Sequence, residues 1–200
     1  MVGVSIPGFY ATNQADPSLC YLFPAMTPPA QPEVWMRGPV PDIPPLLQPA
    51  AHALLQCLEE VSAVVGPLSA AHLWARPGGA ASVGFHVRHA AGSLDRLLTY
   101  ARGERLSEEQ RAYLAAEGEP GSPPAPAAGL VAAFERQVDC ALDQLRQTDE
   151  STLLEPRGVG RLQLPSTVLG LLFHAAEHTQ RHVGQMVTTA KIVQGLAEGK

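Results

Sequence analysis

The sequence predicts an all-α protein: a four-helix bundle with long connections and an extended N-terminal tail. Two observations carry this prediction. Four long segments repeat apolar residues at alternating steps of three and four, which is the spacing of a helix with one face in a core. Proline- and glycine-rich stretches separate these segments, and no segment has the sustained two-residue alternation of a large sheet. A chain of 200 residues fits a single domain of this kind.

The N-terminal segment differs from the rest of the chain. Residues 1–45 hold ten of the nineteen prolines and have no helical or strand period. We therefore predict an extended tail over residues 1–32 and a bundle domain over residues 33–195. The first residues lack the basic region of a signal peptide, and no stretch approaches the roughly 18 apolar residues that a membrane span needs. We expect a soluble protein that does not contact a membrane.

The first two long helices have clear ends. One is predicted over residues 46–65, where Gly66-Pro67 stops it, and a short turn over residues 69–74 follows. The other is predicted over residues 82–102, with Gly103 as its stop. Their core-facing stripes are Leu47, Ala51, Leu54, Leu58, Val61 and Val65 in the first helix, and Val83, Val87, Ala90, Leu94 and Leu98 in the second.

The second half of the chain follows the same logic. The sequence Ser107-Glu-Glu-Gln110 is a capping box that opens a short helix, and residues 119–127, with four prolines, form a connector. A third long helix is predicted over residues 129–147. The turn-rich residues 155–165 alternate weakly, which favours a small hairpin. Ser166 is then expected to cap a fourth long helix that runs to about residue 193.

Charge and cysteine usage exclude several classes of function. The net charge is −5 and only two of the fourteen basic residues are lysines, which disfavours a nucleic-acid-binding surface. Cys20, Cys57 and Cys140 lie far apart, without the paired spacing of a zinc ribbon or a thioredoxin-like motif. The odd count favours a reducing cytoplasm, and we expect Cys57 to act only as a small apolar residue in the core.

Histidines are concentrated in two short clusters about ninety residues apart. Three of those in the second cluster recur at i, i+4 and i+8, so their side chains form one column on a helix. Two histidines one turn apart, joined by a third from another helix, make a three-ligand metal site with an open fourth position. We interpret His52 and His72 as non-ligands. The clustered histidines are His86 and His89, then His174, His178 and His182.

Periodicity alone does not choose the three ligands. His178 and His182 lie about 40° apart on the flank of their helix's apolar stripe. On the earlier helix, His86 lies nearer the stripe than His89 by about 60°, which gives His86 a slight preference. His174 is a further candidate.

A metalloprotease is an alternative interpretation of the second cluster. The sequence from His174 to His178 fits the reversed zincin pattern, in which a glutamate next to a metal histidine acts as a base. Such sites need a downstream acidic ligand, and Glu198 is the only acid after His178. Glu177 also points about 100° away from His178, so we disfavour this alternative.

The two clusters together resemble the DinB/YfiT-like superfamily. The resemblance rests on residues 82–97, with a histidine just before a small apolar pair, and on residues 174–185, which end in His-x-x-x-His-x-Gly-Gln. It extends from about Glu33 to Val193. Carried over residue by residue, it implies metal ligands at His89, His178 and His182, which overrules the preference for His86.

The resemblance also implies properties of the site beyond its three ligands. Members of this superfamily have a bundle with an open, three-histidine divalent site, often with zinc or nickel, and often form homodimers. His86, His174 and Gln185 are additional to the three-ligand pattern. They are expected to hold the ligands in place or to line the pocket.

Three functions remain open at such a site. The first is a bacterial, cytoplasmic thiol S-transferase in stress or detoxification, in which the metal holds the thiolate of bacillithiol, mycothiol or glutathione for attack on an electrophile. The second is a metal-dependent hydrolase, and the third is a non-catalytic metal-binding stress protein. A thiol enzyme needs anchors for the thiol's carboxylates. Arg88, Arg96 and Arg181 are candidates for that role, although each also fits a solvated surface.

Overall fold

The computed structural model describes residues 31–198, and this part of the chain contains six α-helices and one small sheet. Four of the helices are long, and short 3-10 turns at Val34–Met36, Pro45–Leu47, Pro77–Gly79 and Glu150–Thr152 join or precede them. The helices and strands in chain order are α1 Gln48–Val65, α2 Ala70–Trp74, α3 Val83–Ala101, α4 Glu108–Ala116, α5 Ala127–Gln147, β1 Pro156–Val159, β2 Leu164–Thr167 and α6 Val168–Glu198.

The four long helices pack around one core, as the apolar periodicity predicted. Helix α3 packs against α6 and α5, and α1 packs against the same two helices, so each long helix has two long neighbours. Their apolar stripes meet inside the ring, where Leu54, Leu94, Phe134 and Leu172 are fully buried. Burial of these stripes is the main force that holds the helices together. The all-α bundle predicted from the sequence is confirmed.

Side-chain caps fix where several helices begin. The Ser82 hydroxyl accepts the Phe85 amide at the start of α3, and the capping box of Ser107 and Gln110 opens α4 as predicted. The predicted cap of α6 was wrong by one residue. Ser166 lies in β2, and the Thr167 hydroxyl accepts the Gly170 amide at 3.0 Å. Helix α6 also continues to Glu198, five residues past the predicted end.

A small antiparallel hairpin leads directly into α6. Pro156 pairs with Thr167 and Val159 pairs with Leu164, as the weak alternation of this stretch suggested. The turn between the strands includes Gly160 with a φ of 67°, a value that glycine adopts at little cost. The hairpin thereby sets the first turn of the helix that carries the second histidine cluster.

The predicted N-terminal tail cannot be compared with the structure, whereas the prediction about membrane spans can. The predicted tail, residues 1–32, lies outside the described residues except for its last two positions. Within residues 31–198, no helix combines the length and the apolar character needed to cross a membrane.

Candidate metal centre

The packing of α3 against α6 brings the two histidine clusters together. His89 lies on α3, and His178 and His182 lie one turn apart on α6. One ring nitrogen of each lies within 4.8 Å of the others, and all three side chains are half-buried. The ring centroids are 4.4 Å apart for His89 and His182, 4.6 Å for His178 and His182, and 5.3 Å for His89 and His178. The structure thus gathers the three histidines that the family resemblance nominated.

The nitrogen atoms face one another as ligands of a single ion would. Nε2 of His89 lies 3.1 Å from Nε2 of His178. Two nitrogen lone pairs approach this closely only with a proton or a cation between them. In a tetrahedral zinc site, Zn–N bonds of about 2.0–2.1 Å separate the nitrogens by about 3.3 Å. The spacing and the all-imidazole donor set therefore fit a divalent transition metal.

A buried carboxylate holds the other face of the His89 ring. Glu117, which follows α4 and is 2% exposed, places Oε2 2.7 Å from Nδ1 of His89. A carboxylate only accepts hydrogen bonds, so Nδ1 of His89 is the donor, and in the neutral imidazole Nε2 keeps its lone pair. The second oxygen, Oε1, accepts from Nη1 of Arg96 at 2.6 Å. Phe85 stacks on the same imidazole with ring centroids 5.4 Å apart.

His86, favoured slightly by the helical pattern, contacts the site from its outer side. It is 7% exposed, and its Nδ1 lies 3.2 Å from Nδ1 of His182. A metal bound at Nε2 of His182 leaves Nδ1 free for this contact. His86 then fixes the orientation of the His182 ring. The helical periodicity favoured His86 because a residue near the apolar stripe is expected to be the more buried one. His86 is indeed more buried than the three ligands, but it contacts a ligand and is not one of the three.

Burial favours neutral imidazoles in this cluster. Desolvation lowers the pKa of His86, of His178 and, to about 4, of His182, with neighbouring histidines adding to each effect. Neutral imidazole is the form that binds a metal. Nδ1 of His178 is buried without a hydrogen-bond partner among the described residues. Among the described residues, His178 therefore lacks a partner at its second ring nitrogen, whereas His89 has Glu117 and His182 has His86.

The remaining candidate residues of the second cluster are exposed or partly exposed on α6, and the ring centroid of His174 lies 5.4 Å from that of His178. His174 is exposed, and its Nδ1 lies 3.3 Å from Oε2 of Glu177. Glu177 also forms an ion pair with Arg181, and these contacts lower the pKa of its carboxyl group, the arginine most of all. Gln185 is exposed on α6. A glutamate held in this way on the surface does not serve as the base of a protease site, which agrees with the sequence argument.

The three candidate arginine anchors have other partners. Arg88 donates to the backbone oxygen of Glu119 and lies over the Tyr113 ring. Arg96 is 8% exposed and is engaged by Glu117, so it is neither solvated nor free to hold a substrate carboxylate. Arg181 is exposed and pairs with Glu177.

The residues interpreted as unreactive lie outside the centre. His52 on α1 has Nε2 3.0 Å from the backbone oxygen of Gly38, and His72 lies on α2. Burial raises the pKa of Cys57 to about 12, so its thiol stays protonated at neutral pH, as its predicted role in the core requires.

Sequence reasoning missed Glu117 and the buried role of Arg96. Glu117 lies 28 residues from His89, directly after a separate short helix, and no helical period connects the two. One indirect signal was present. Gly92 lies in the interior of α3, and a glycine inside a helix often has a packing reason such as the close approach of another group.

Comparison with known proteins identifies the fold family. The model of the DinB superfamily matches residues 53–186, about two-thirds of the chain. The chain belongs to the DinB superfamily. The match spans both histidine clusters, so it confirms the resemblance inferred from them. No curated protein matches this DinB-superfamily chain. The family match supports metal binding at the three-histidine group but does not specify a reaction.

Proposed function

We propose that this DinB-superfamily protein binds one divalent transition metal, zinc or nickel, through His89, His178 and His182. The observation that carries the proposal is the convergence of the three ring nitrogens within 4.8 Å of one another. The protonated Nδ1 of His89 supports it, because this tautomer leaves Nε2 ready to bind. Three neutral ligands leave the ion its full charge, and three protein ligands leave a position for a further group.

We further propose that the site serves a thiol S-transferase that uses a low-molecular-weight thiol and a small electrophile. A bound metal would supply Lewis acidity, which lowers the pKa of a coordinated thiol into the neutral range. The chain itself contributes orientation: Glu117 fixes His89, and His86 fixes His182. The half-buried position of the three ligands supports access by a small molecule.

Metal binding is tested first, by replacing each ligand in the purified protein. His89→Ala, His178→Ala and His182→Ala should each reduce the bound metal sharply from about one ion per chain, because two imidazoles hold these ions weakly. His52→Ala and His72→Ala are matched controls outside the centre and should keep full occupancy. Elemental analysis gives the metal content. Full occupancy in the His178→Ala, His182→Ala double variant would refute the site.

Thiol binding is tested on the cobalt-substituted protein. Adding bacillithiol, mycothiol or glutathione should produce a sulfur-to-metal charge-transfer band and release a proton, because a thiol loses its proton when it coordinates. The preferred thiol should then conjugate to a simple electrophile faster than in the metal-free protein, and His89→Ala should remove the gain. Metal-dependent hydrolysis of an ester without any thiol response would replace this proposal with a hydrolase. No response in either assay would indicate a non-catalytic metal-binding protein.

A further inference from the structure

We propose that Glu117 is a positioning residue for the metal centre, and that α4 is therefore part of the site although it carries no ligand. The inference rests on the proposed metal binding and assigns a role to residues outside the histidine clusters. Glu117 would act through His89 by fixing the ring's orientation and tautomer. Carboxylates in this position strengthen the ligand by making the imidazole more basic.

The carboxylate of Glu117 is held on both sides. One oxygen accepts from Nδ1 of His89 at 2.7 Å, and the other accepts from Nη1 of Arg96 at 2.6 Å. Both partners of the Arg96–Glu117 ion pair are buried. A buried ion pair rarely adds net stability over apolar residues of the same size, because both charges lose their hydration. Contact with a metal ligand explains why such a pair stands at this place.

Gly92 shows how tightly this arrangement is built. A Cβ at Gly92 would lie 2.6 Å from Cε1 of Tyr113 and 2.8 Å from Nη1 of Arg96, and it would also overlap Oε1 of Glu117. Real Cβ atoms do not approach other heavy atoms this closely, so a side chain here would force the ends of the Glu117, Tyr113 and Arg96 side chains to shift. Gly92 lies on α3 about one turn from His89, and its lack of a side chain makes room for Glu117.

Helix α4 delivers Glu117 without contributing to the apolar core. None of its nine residues is buried, whereas Glu117, the residue that follows it, is. Polar contacts attach the helix to α3: Nε2 of Gln110 donates to Asp95 and Thr99, and the Tyr113 hydroxyl donates to the Arg88 backbone oxygen. The buried residue at the end of this segment thus contacts both His89 and Arg96.

The experiment compares metal affinity in variants that keep every ligand. Glu117→Gln keeps the shape and an accepting oxygen but loses the charge, and Gly92→Ala pushes the intact carboxylate away from His89. Each should weaken zinc binding about 10–100-fold, as the loss of such partners typically does. Glu119→Gln, an equal charge change at an exposed position two residues away, should bind like the wild type. Affinities come from competition with a chelator.

A second readout separates positioning from folding. The visible spectrum of the cobalt-loaded protein should change in Glu117→Gln and Gly92→Ala, because the ligand field depends on the orientation of His89. Circular dichroism of the metal-free proteins should show the same helix content. Alanine favours a helix over glycine, so Gly92→Ala is not expected to lose α3.

The outcomes distinguish this inference from the proposal beneath it. If His89→Ala loses the metal while Glu117→Gln and Gly92→Ala bind within threefold of the wild type with unchanged cobalt spectra, Glu117 does not position the ligand. If His89→Ala itself binds zinc like the wild type, the metal site is wrong and the inference falls with it.

Discussion

At the scale of single residues, burial lowers the pKa of His178 and of His182 and so favours the neutral form that binds a metal. His182 shows this most clearly, because desolvation and the nearby His89 and His178 lower its pKa to about 4. An imidazole in an unfolded chain has a pKa near 6.5. The folded protein therefore holds this group neutral at a pH where the unfolded chain would protonate it.

This difference predicts how the stability of the metal-free protein depends on pH. The folded pKa of His182 is lowered, so the unfolded chain binds more protons between pH about 6.5 and about 4. The contribution of His182 to stability is complete above the unfolded pKa and is lost as the pH falls through this window. The melting temperature of the metal-free protein should therefore fall between pH 7.5 and pH 4.5, as followed by circular dichroism.

The matched variants are His182→Gln and His52→Ala. Glutamine does not titrate, so His182→Gln should lose melting temperature less steeply over the same pH range. His52, with Nε2 3.0 Å from the backbone oxygen of Gly38, lies outside the centre and is the control for replacing a histidine elsewhere, so His52→Ala should not reduce the slope as His182→Gln does. Equal slopes for the wild type and His182→Gln would show that this imidazole is not the group responsible.

At the scale of elements, the question at the start of α6 is which residue caps the helix. The hydroxyl of Thr167, the last residue of β2, accepts the Gly170 amide, whereas Ser166 lies one residue earlier in the strand. Thr167→Ala should destabilise the protein by about 1 kcal/mol, the usual cost of a lost cap. For a chain of this size, that corresponds to a fall of about 2–4 °C in melting temperature.

Two further variants check the origin of this loss. Thr167→Ser keeps the hydroxyl and should recover most of the stability. Ser166→Ala, the change at the cap that the sequence favoured, should cost less than Thr167→Ala. A larger loss for Ser166→Ala would restore the original prediction.

How far the sequence predicts each element depends on how local its cause is. The long helices follow from stripes such as Val87, Leu94 and Leu98, because burial of one face is written into the spacing itself. The cap of α6 was displaced by one residue because serine and threonine stand side by side there, and either can accept the amide. The late end of α6 was missed because few strong breakers mark it.

The candidate centre was predictable only in part, for a different reason. The i, i+4, i+8 spacing is local and nominated His174, His178 and His182, and the family resemblance selected the last two. The choice of His89 over His86 depends on how α3 rotates against α6, which the pattern of one helix does not contain, and the family resemblance supplied it. Glu117 depends on where a separate short helix docks, so neither argument reached it.

At the scale of the whole molecule, the segment that precedes α1 packs and hydrogen-bonds against that helix. Val34 is 6% exposed, and its amide donates to Oε1 of Gln56 at 3.1 Å. The side-chain amide of Gln48 donates to the backbone oxygen of Val40, and its oxygen accepts from the Val40 amide. From Pro32 onward the chain forms one compact unit. These contacts make Val34 and Val40 part of the bundle's packing.

Two truncations test where the stabilising part of the chain begins. Removal of residues 1–32 should leave the melting temperature, the helix content and the metal content nearly unchanged, since the proline-rich, aperiodic sequence of that segment predicts little contribution to the core. Removal of residues 1–41 takes away the burial of Val34 and both hydrogen bonds between Gln48 and Val40. Burying a valine side chain is worth about 1.5–3 kcal/mol, so this longer truncation should lower the melting temperature by at least about 3–6 °C. A fall in melting temperature of more than about 10 °C in the shorter truncation would mean that residues 1–32 stabilise the bundle. Equal melting temperatures of the two truncated proteins would show that the segment around Val34 does not stabilise it.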